Sequence, residues 1–188
     1  MEKLTSSSPW TNIIYRLMLF IIVFMYLGSI LCLSSFRQID RVDLQILYIL
    51  LNWVSFLVTS VLLSVVHENA HSFTASHFGI RTEVSYFPKP YSFKPYCAFD
   101  KNAKIKKSDF RKIAIAPLIT ISLVLIPLCL LSLALFQYCP ELFINIFILY
   151  IYKVTGCIGD LKLFKDARRL SNNQKLIQSE DRGAFEVI

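Results

Sequence analysis

Polar and apolar positions in this chain separate into blocks. Apolar runs cover residues 13–33, 44–66, 113–136 and 142–158, and polar stretches divide them. Each run approaches or exceeds the roughly 20 residues a helix needs to cross the hydrocarbon of a bilayer. The first is broken only by Arg16, with Trp10 and Tyr15 placed as interfacial aromatics, and it is too long for the core of a cleavable leader. The second enters a polar pentapeptide without a helix breaker. Its helix is predicted to continue to residue 78, with Gly79 as its stop. In the third run Pro117 lies near the start and Pro127 predicts a kink, while Ser108 is a candidate cap with Asp109 in the first turn. Between the second and third runs, residues 81–87 and 94–99 read as two short β-type stretches around a turn containing Pro88 and Pro90.

Composition agrees with this pattern. Of 188 residues, 55% are hydrophobic and only 18% charged, and mean hydropathy is +0.52. The predicted class is an all-α membrane protein of about four transmembrane helices, with a short β-prone basic loop between spans two and three. Residues 1–170 read as a single polytopic domain and 171–188 as a polar tail open to disorder. Net charge is +7, but the basic residues collect in the 80–112 loop and after residue 160, while the 34–43 and 137–141 turns carry no such excess. That asymmetry marks cytoplasmic segments beside anionic lipid rather than a nucleic-acid surface. It predicts a multi-pass protein of the cell membrane with both termini in the cytoplasm. The cysteines (Cys32, Cys97, Cys129, Cys139 and Cys157) are odd in number and show no C-x-x-C pair, so they read as packed free thiols.

The candidate chemistry lies in His67-Glu68-Asn69-Ala70-His71. On a helix, positions i and i+4 share a face, so His67 and His71 can offer two imidazole nitrogens to one ion. Glu68, beside the first ligand, can serve as general base to a water on that ion. A catalytic zinc takes three protein ligands and a water. Under the four-span topology, the C-terminal ends of spans two and four face the cytoplasm together, which brings Asp160 to the depth of the two histidines. Asp160 is therefore the candidate third ligand, Asp166 the reserve, and a helix-terminal pairing with Lys162 the plainer alternative. Gly156 and Gly159 are expected to let helices approach closely there. His77 follows His71 by six positions, the metzincin spacing, but Thr74 stands where that pattern needs glycine.

The stretch from His67 to Ile80 resembles the site-2-protease type of membrane metalloprotease, whose motif runs H-E-x-x-H-x-x-x-A-x-x-x-G-[IV], with Ala75, Gly79 and Ile80 matching. Adding Ala116-Pro117-Leu118 at the third run and Gly159-Asp160 after the fourth, residues 45–165 resemble a bacterial family of membrane zincin peptidases. The N-x-x-P-x-P-x-L-D-G signature of true site-2 proteases is absent, and Asp160 would take the place of its aspartate.

Two functions follow as expectations. One is a membrane-embedded zinc endopeptidase acting near the cytoplasmic face on membrane or membrane-proximal proteins or peptides, with Glu68 as base and His67, His71 and Asp160 on Zn2+. The other is a non-catalytic zincin-like membrane protein, an immunity or accessory factor. The 81–99 stretch either offers a strand edge to an extended substrate or is a lipid-facing basic segment. Substrate identity and oligomeric state are not legible in the sequence.

Overall fold

The computed structural model describes residues 3–37, 39, 41–86, 95–179 and 183–188. Five helices dominate: α1 (Pro9–Phe36), α2 (Val42–His77), α3 (Lys107–Ala134), α4 (Pro140–Gly156) and α5 (Ile158–Arg168). The strands are β1 (Lys3–Thr5), β2 (Thr82–Ser85), β3 (Tyr96–Phe99), β4 (Ile105–Lys106), β5 (Lys175–Gln178) and β6 (Ala184–Val187). The protein is thus mostly helical rather than all-α.

Helices α1, α2 and α3 are long and apolar enough to cross a membrane, and α4 with α5, bent by 41°, makes a fourth if the pair is counted as one broken span. Their outward faces stay apolar: Phe24 and Leu123 are each 71% exposed and Leu51 is 61% exposed. Water penalises such surfaces, whereas lipid does not. The interior of this bundle gathers Tyr26, Ile30, Phe56, Leu63, Ile121, Leu125, Ile148 and Cys157. Polar groups also meet inside it. The Tyr26 hydroxyl lies 2.6 Å from Asn145 Oδ1 and 2.8 Å from the Asn52 carbonyl, and Asn145 Nδ2 donates to Asn52 Oδ1 at 2.9 Å. At the bundle end away from the motif, Arg37 pairs with Glu141 at 2.7 Å, and the Tyr48 hydroxyl donates to the same carboxylate.

At the other end the chain builds a second core. Strands β1, β6, β5 and β4, in that order, form an antiparallel sheet. Leu4, Ile105, Leu176, Phe185 and Val187 pack from it onto Ala75 of α2, Phe110 and Ile113 of α3, and Leu163 and Ala167 of α5. The stretch expected to be open to disorder therefore carries β5 and β6 instead. Its apolar residues are few, but Leu176 and the alternating Phe185 and Val187 meet one face of the sheet, and β1 supplies the outer strand. Since β1 precedes α1, β4 precedes α3 and β5 follows α5, one sheet holds the start of α1, the start of α3 and the end of α5 together.

Local signals act at the helix ends. Gly79, at φ +71°, stops α2, and the N–H groups of Phe78 and Ile80 fold back onto the Ala75 carbonyl. α3 starts earlier than its apolar run, with Lys106 at the cap position, and the Ser108 hydroxyl donates to Asp109 rather than capping the helix. α3 continues through both Pro117 and Pro127. The fourth run stops at Gly156, and α5 begins after Cys157 in a new direction. The two β-type stretches contain β2 and β3, which pair antiparallel, while the turn with Pro88 and Pro90 lies outside the described residues.

Candidate metal centre

The last turns of α2 carry the site. Val66 still belongs to the apolar exterior, and one residue later the helix passes between β3, α3 and α5. A cavity of about 200 Å³ opens there, lined by His67, Glu68 and His71 of α2, Cys97 and Phe99 of β3, and Asp160 of α5. Ser6, Gln178, Gly183 and Phe185 from the terminal strands and their flanks close its far side.

Within the cavity, His67 Nε2 lies 3.1 Å from Asp160 Oδ2, and His71 Nε2 lies 3.5 Å from Asp160 Oδ1. The two imidazoles are edge to face with centroids 5.1 Å apart. The three side chains are 12–18% exposed. Ligand atoms about 2.0–2.1 Å from one tetrahedral ion sit roughly 3.3 Å from each other, so each histidine–aspartate separation suits a pair of donors on one ion. The tautomer of His71 fits as well. Its Nδ1 is 2.9 Å from the Ile113 carbonyl, which can only accept, so Nδ1 carries the hydrogen and Nε2 is the nitrogen left to ligate an ion on the Asp160 side.

Glu68 is held differently. Its Oε2 accepts the Cys97 backbone N–H at 2.8 Å, which ties the carboxylate to β3. Ser72 to Thr82 at 2.6 Å pins the neighbouring β2 to α2 and so sets how β3 overhangs the helix. In the antiparallel register, Tyr96 and Ala98 face β2, so the backbone groups of Cys97 and Phe99 face the cavity. Gln178 Oε1 accepts the Phe99 N–H at 2.6 Å, and its Nε2 donates to the Tyr96 hydroxyl. Burial pushes the Cys97 thiol up to about 12, with the Glu68 carboxylate adding to the effect, so that sulfur stays protonated.

All four residues singled out from the sequence therefore meet in one cavity. The alternatives do not join them. His77 ends α2 edge-on to Phe78, and Asp166 pairs with Lys162 at 3.2 Å. Lys162 also donates to the Thr5 carbonyl, which occupies the amine that could have paired with Asp160. Gly159 serves close approach, but of the turn after β1 rather than of a helix. A Cβ there would meet Ser6 Cβ at 3.3 Å, whereas one at Gly156 would meet nothing within 4 Å. Ser6 is gripped from the opposite side by Gly183, whose φ is +73° and where an added Cβ would collide with Ser6 Oγ.

Reading the cysteines as packed thiols missed one participant. Cys157 Sγ lies 3.7 Å from His67 Nδ1, and Cys157 joins His67 and Asp160 in a group compact enough to hold an ion. Two donor sets thus share His67 and Asp160, one completed by His71 and one by Cys157. The sulfur approaches the nitrogen on the opposite side of the ring from the one facing Asp160. That makes it a partner orienting His67 in the set with His71. Its position three residues before Asp160, across the α4–α5 break, was the sequence signal. Gln178 and Ser6 had none, since both arrive through the terminal sheet.

Two imidazoles and an adjacent glutamate near the end of a long helix, facing a carboxylate from α5, are the side-chain types of a zincin-type centre. The chain belongs to the family described as "Putative zincin peptidase", whose sequence profile matches residues 60–174, more than half of its length. The match covers every residue of the donor set and ends just before β5. Comparison with curated proteins and with solved structures found no match. The family implies a metallopeptidase that uses zinc, and the donor set suits that ion.

Proposed function

We propose that the protein is a membrane-embedded zinc endopeptidase that cleaves membrane or membrane-proximal polypeptides at the cytoplasmic boundary of the bilayer. The observation that carries this reading is the convergence of both Nε2 atoms on the Asp160 carboxylate with Glu68 in the same cavity. His67, His71 and Asp160 would hold the ion. Bound there, zinc supplies Lewis acidity to the scissile carbonyl and makes the attacking water more acidic. Glu68 takes the proton from that water and returns it to the leaving amine, and the Cys97 N–H keeps the carboxylate in place for both transfers. Phe99, Phe110, Leu163 and Phe185 supply apolar wall to the cavity beside these polar groups.

Helix lengths support the boundary location. α2 has 36 residues, about 54 Å at 1.5 Å per residue, against roughly 30 Å of hydrocarbon. The last turns must therefore extend past the lipid tails, and His67 follows the outward-facing Val66 directly. Four crossings, with α4 and α5 as the broken fourth, put the starts of α1 and α3 and the end of α5 on one side, as their shared sheet requires. The exposed Lys101, Lys104, Lys106, Lys112, Lys165, Arg168 and Arg169 cluster at that end, which supports a cytoplasmic placement for it.

An extended substrate would add beside β3, because the backbone of Cys97 and Phe99 faces the cavity at the two-residue repeat of a strand edge. The Gln178 amide, bonded to the Phe99 N–H, occupies the position that a substrate carbonyl would take.

The decisive experiment combines zinc analysis with cleavage, using protein purified in detergent and an unfolded polypeptide such as casein. Wild type is expected to carry one zinc and to hydrolyse the polypeptide. Glu68→Gln should keep the zinc and lose about 10²- to 10⁴-fold in rate. Equal hydrolysis by both proteins, or zinc retained in Asp160→Ala with unchanged affinity, would sink this reading.

A further inference from the structure

α3 carries a buried proline at position 117, one turn after the carbonyl that His71 uses. In an α-helix the carbonyl of residue i accepts the N–H of residue i+4. For Ile113 that partner would be residue 117, and Pro117 has no N–H to give. The proline ring also crowds the carbonyl four residues earlier and tilts it off the helix axis. The Ile113 carbonyl is thus released from the helix ladder, and the group it meets is His71 Nδ1 at 2.9 Å.

We propose that Pro117 is a positioning residue of the metal centre: by withholding its N–H, it frees the Ile113 carbonyl to fix the tautomer and orientation of His71. Each side supplies what the other lacks. The carbonyl sits on a buried residue, Ile113 being 1% exposed, where an unpaired acceptor is costly. The imidazole needs an acceptor at Nδ1 to keep the hydrogen there and leave Nε2 free toward Asp160. With any other residue at 117 the helix would offer a competing donor to the same carbonyl, and His71 would have to share it or turn.

Pro117 itself is nearly fully buried, so its ring also packs, and the test must separate packing from the missing N–H. Three proteins are compared with wild type for zinc affinity by competition with a chromogenic chelator: Pro117→Ala, a variant with lactic acid at position 117, and Pro127→Ala. The alanine restores the N–H. The lactic-acid ester has the size of alanine but no N–H. Pro127→Ala removes a proline from the same helix away from the histidines. Pro117→Ala is expected to weaken zinc binding about 10-fold, the usual scale for losing the outer hydrogen bond of a metal-bound histidine. The ester should bind within about 2-fold of wild type on the same scale, and Pro127→Ala should match wild type. Wild-type affinity in Pro117→Ala, or an ester as weak as the alanine variant, overturns the proposal. If Pro117→Ala does not fold, the ester against wild type decides, because its affinity must survive. This inference rests on the zinc-centre reading, and the two fail differently: zinc binding unaffected by His71→Ala overturns the centre itself, whereas the outcomes above overturn only the role of Pro117.

Discussion

The two ends of this molecule are built on opposite principles. The helical bundle turns Phe20, Phe24, Leu51 and Leu123 outward and places the Tyr26–Asn52–Asn145 network inside. The sheet-bearing end buries Leu176, Phe185, Ile105 and Phe110 and leaves Lys101, Lys104 and Lys106 outside. Lipid tails are as apolar as leucine, so in a bilayer such a bundle would gain little by hiding leucine and would be held by close packing and internal hydrogen bonds. The sheet-bearing end follows the rule for water, where removing apolar area from solvent is the main driving force. The metal centre lies on the seam between the two, one turn from each. Such a seam suits the proposed function, in which water and a membrane-proximal substrate must both reach the site.

The comparison can be tested by substitutions whose effects should fall in a set order, with stability read by reversible unfolding in mixed micelles. Phe185→Ala should be the most damaging. It opens a void between β6 and α3 where the ring meets Phe110 at 4.6 Å, and should cost about 3–5 kcal/mol. A loss below 1 kcal/mol would mean that the terminal sheet is not a water-type core. Tyr26→Phe removes the hydroxyl between α1, α2 and α4 and should cost about 1 kcal/mol, with zinc content unchanged. At the seam, Gln178→Ala vacates the β3 edge. It should lower KM for an unfolded polypeptide about 3- to 10-fold at constant kcat, the worth of one hydrogen bond. A raised KM would mean that Gln178 helps to hold substrate instead of standing in its place. Leu130→Ala should have the smallest effect, within about 0.5 kcal/mol, because its side chain is 65% exposed on the apolar exterior. A cost like that of a buried leucine would show that something other than lipid covers that face.

Much of this plan was legible along the chain. The helical stretches follow the apolar runs because a segment in lipid must satisfy its backbone internally, and a helix does so with local bonds alone. The spacing of His67, Glu68 and His71 needed only the helical repeat. Asp160 was reachable because four crossings, as the apolar runs predict, would bring the ends of the second and fourth runs to one side. The strands near the termini were not legible. Residues 3–5, 175–178 and 184–187 each offer too few apolar positions to make a core, and they form a sheet only when β1 meets β6 and both meet the ends of α2, α3 and α5.

Segments whose partners lie within the same helix were therefore determined by the sequence itself: the helical stretches, the Gly79 stop and the two-histidine face. The tertiary structure alone decided what depends on distant partners. It bent α4 into α5 so that Asp160 faces the histidines, brought Cys157 to His67, laid Gln178 along β3 and turned the Ile113 carbonyl, bare of its helical partner because residue 117 is proline, toward His71. Those contacts join residues from 42 to about 90 positions apart, across separations that no local periodicity encodes.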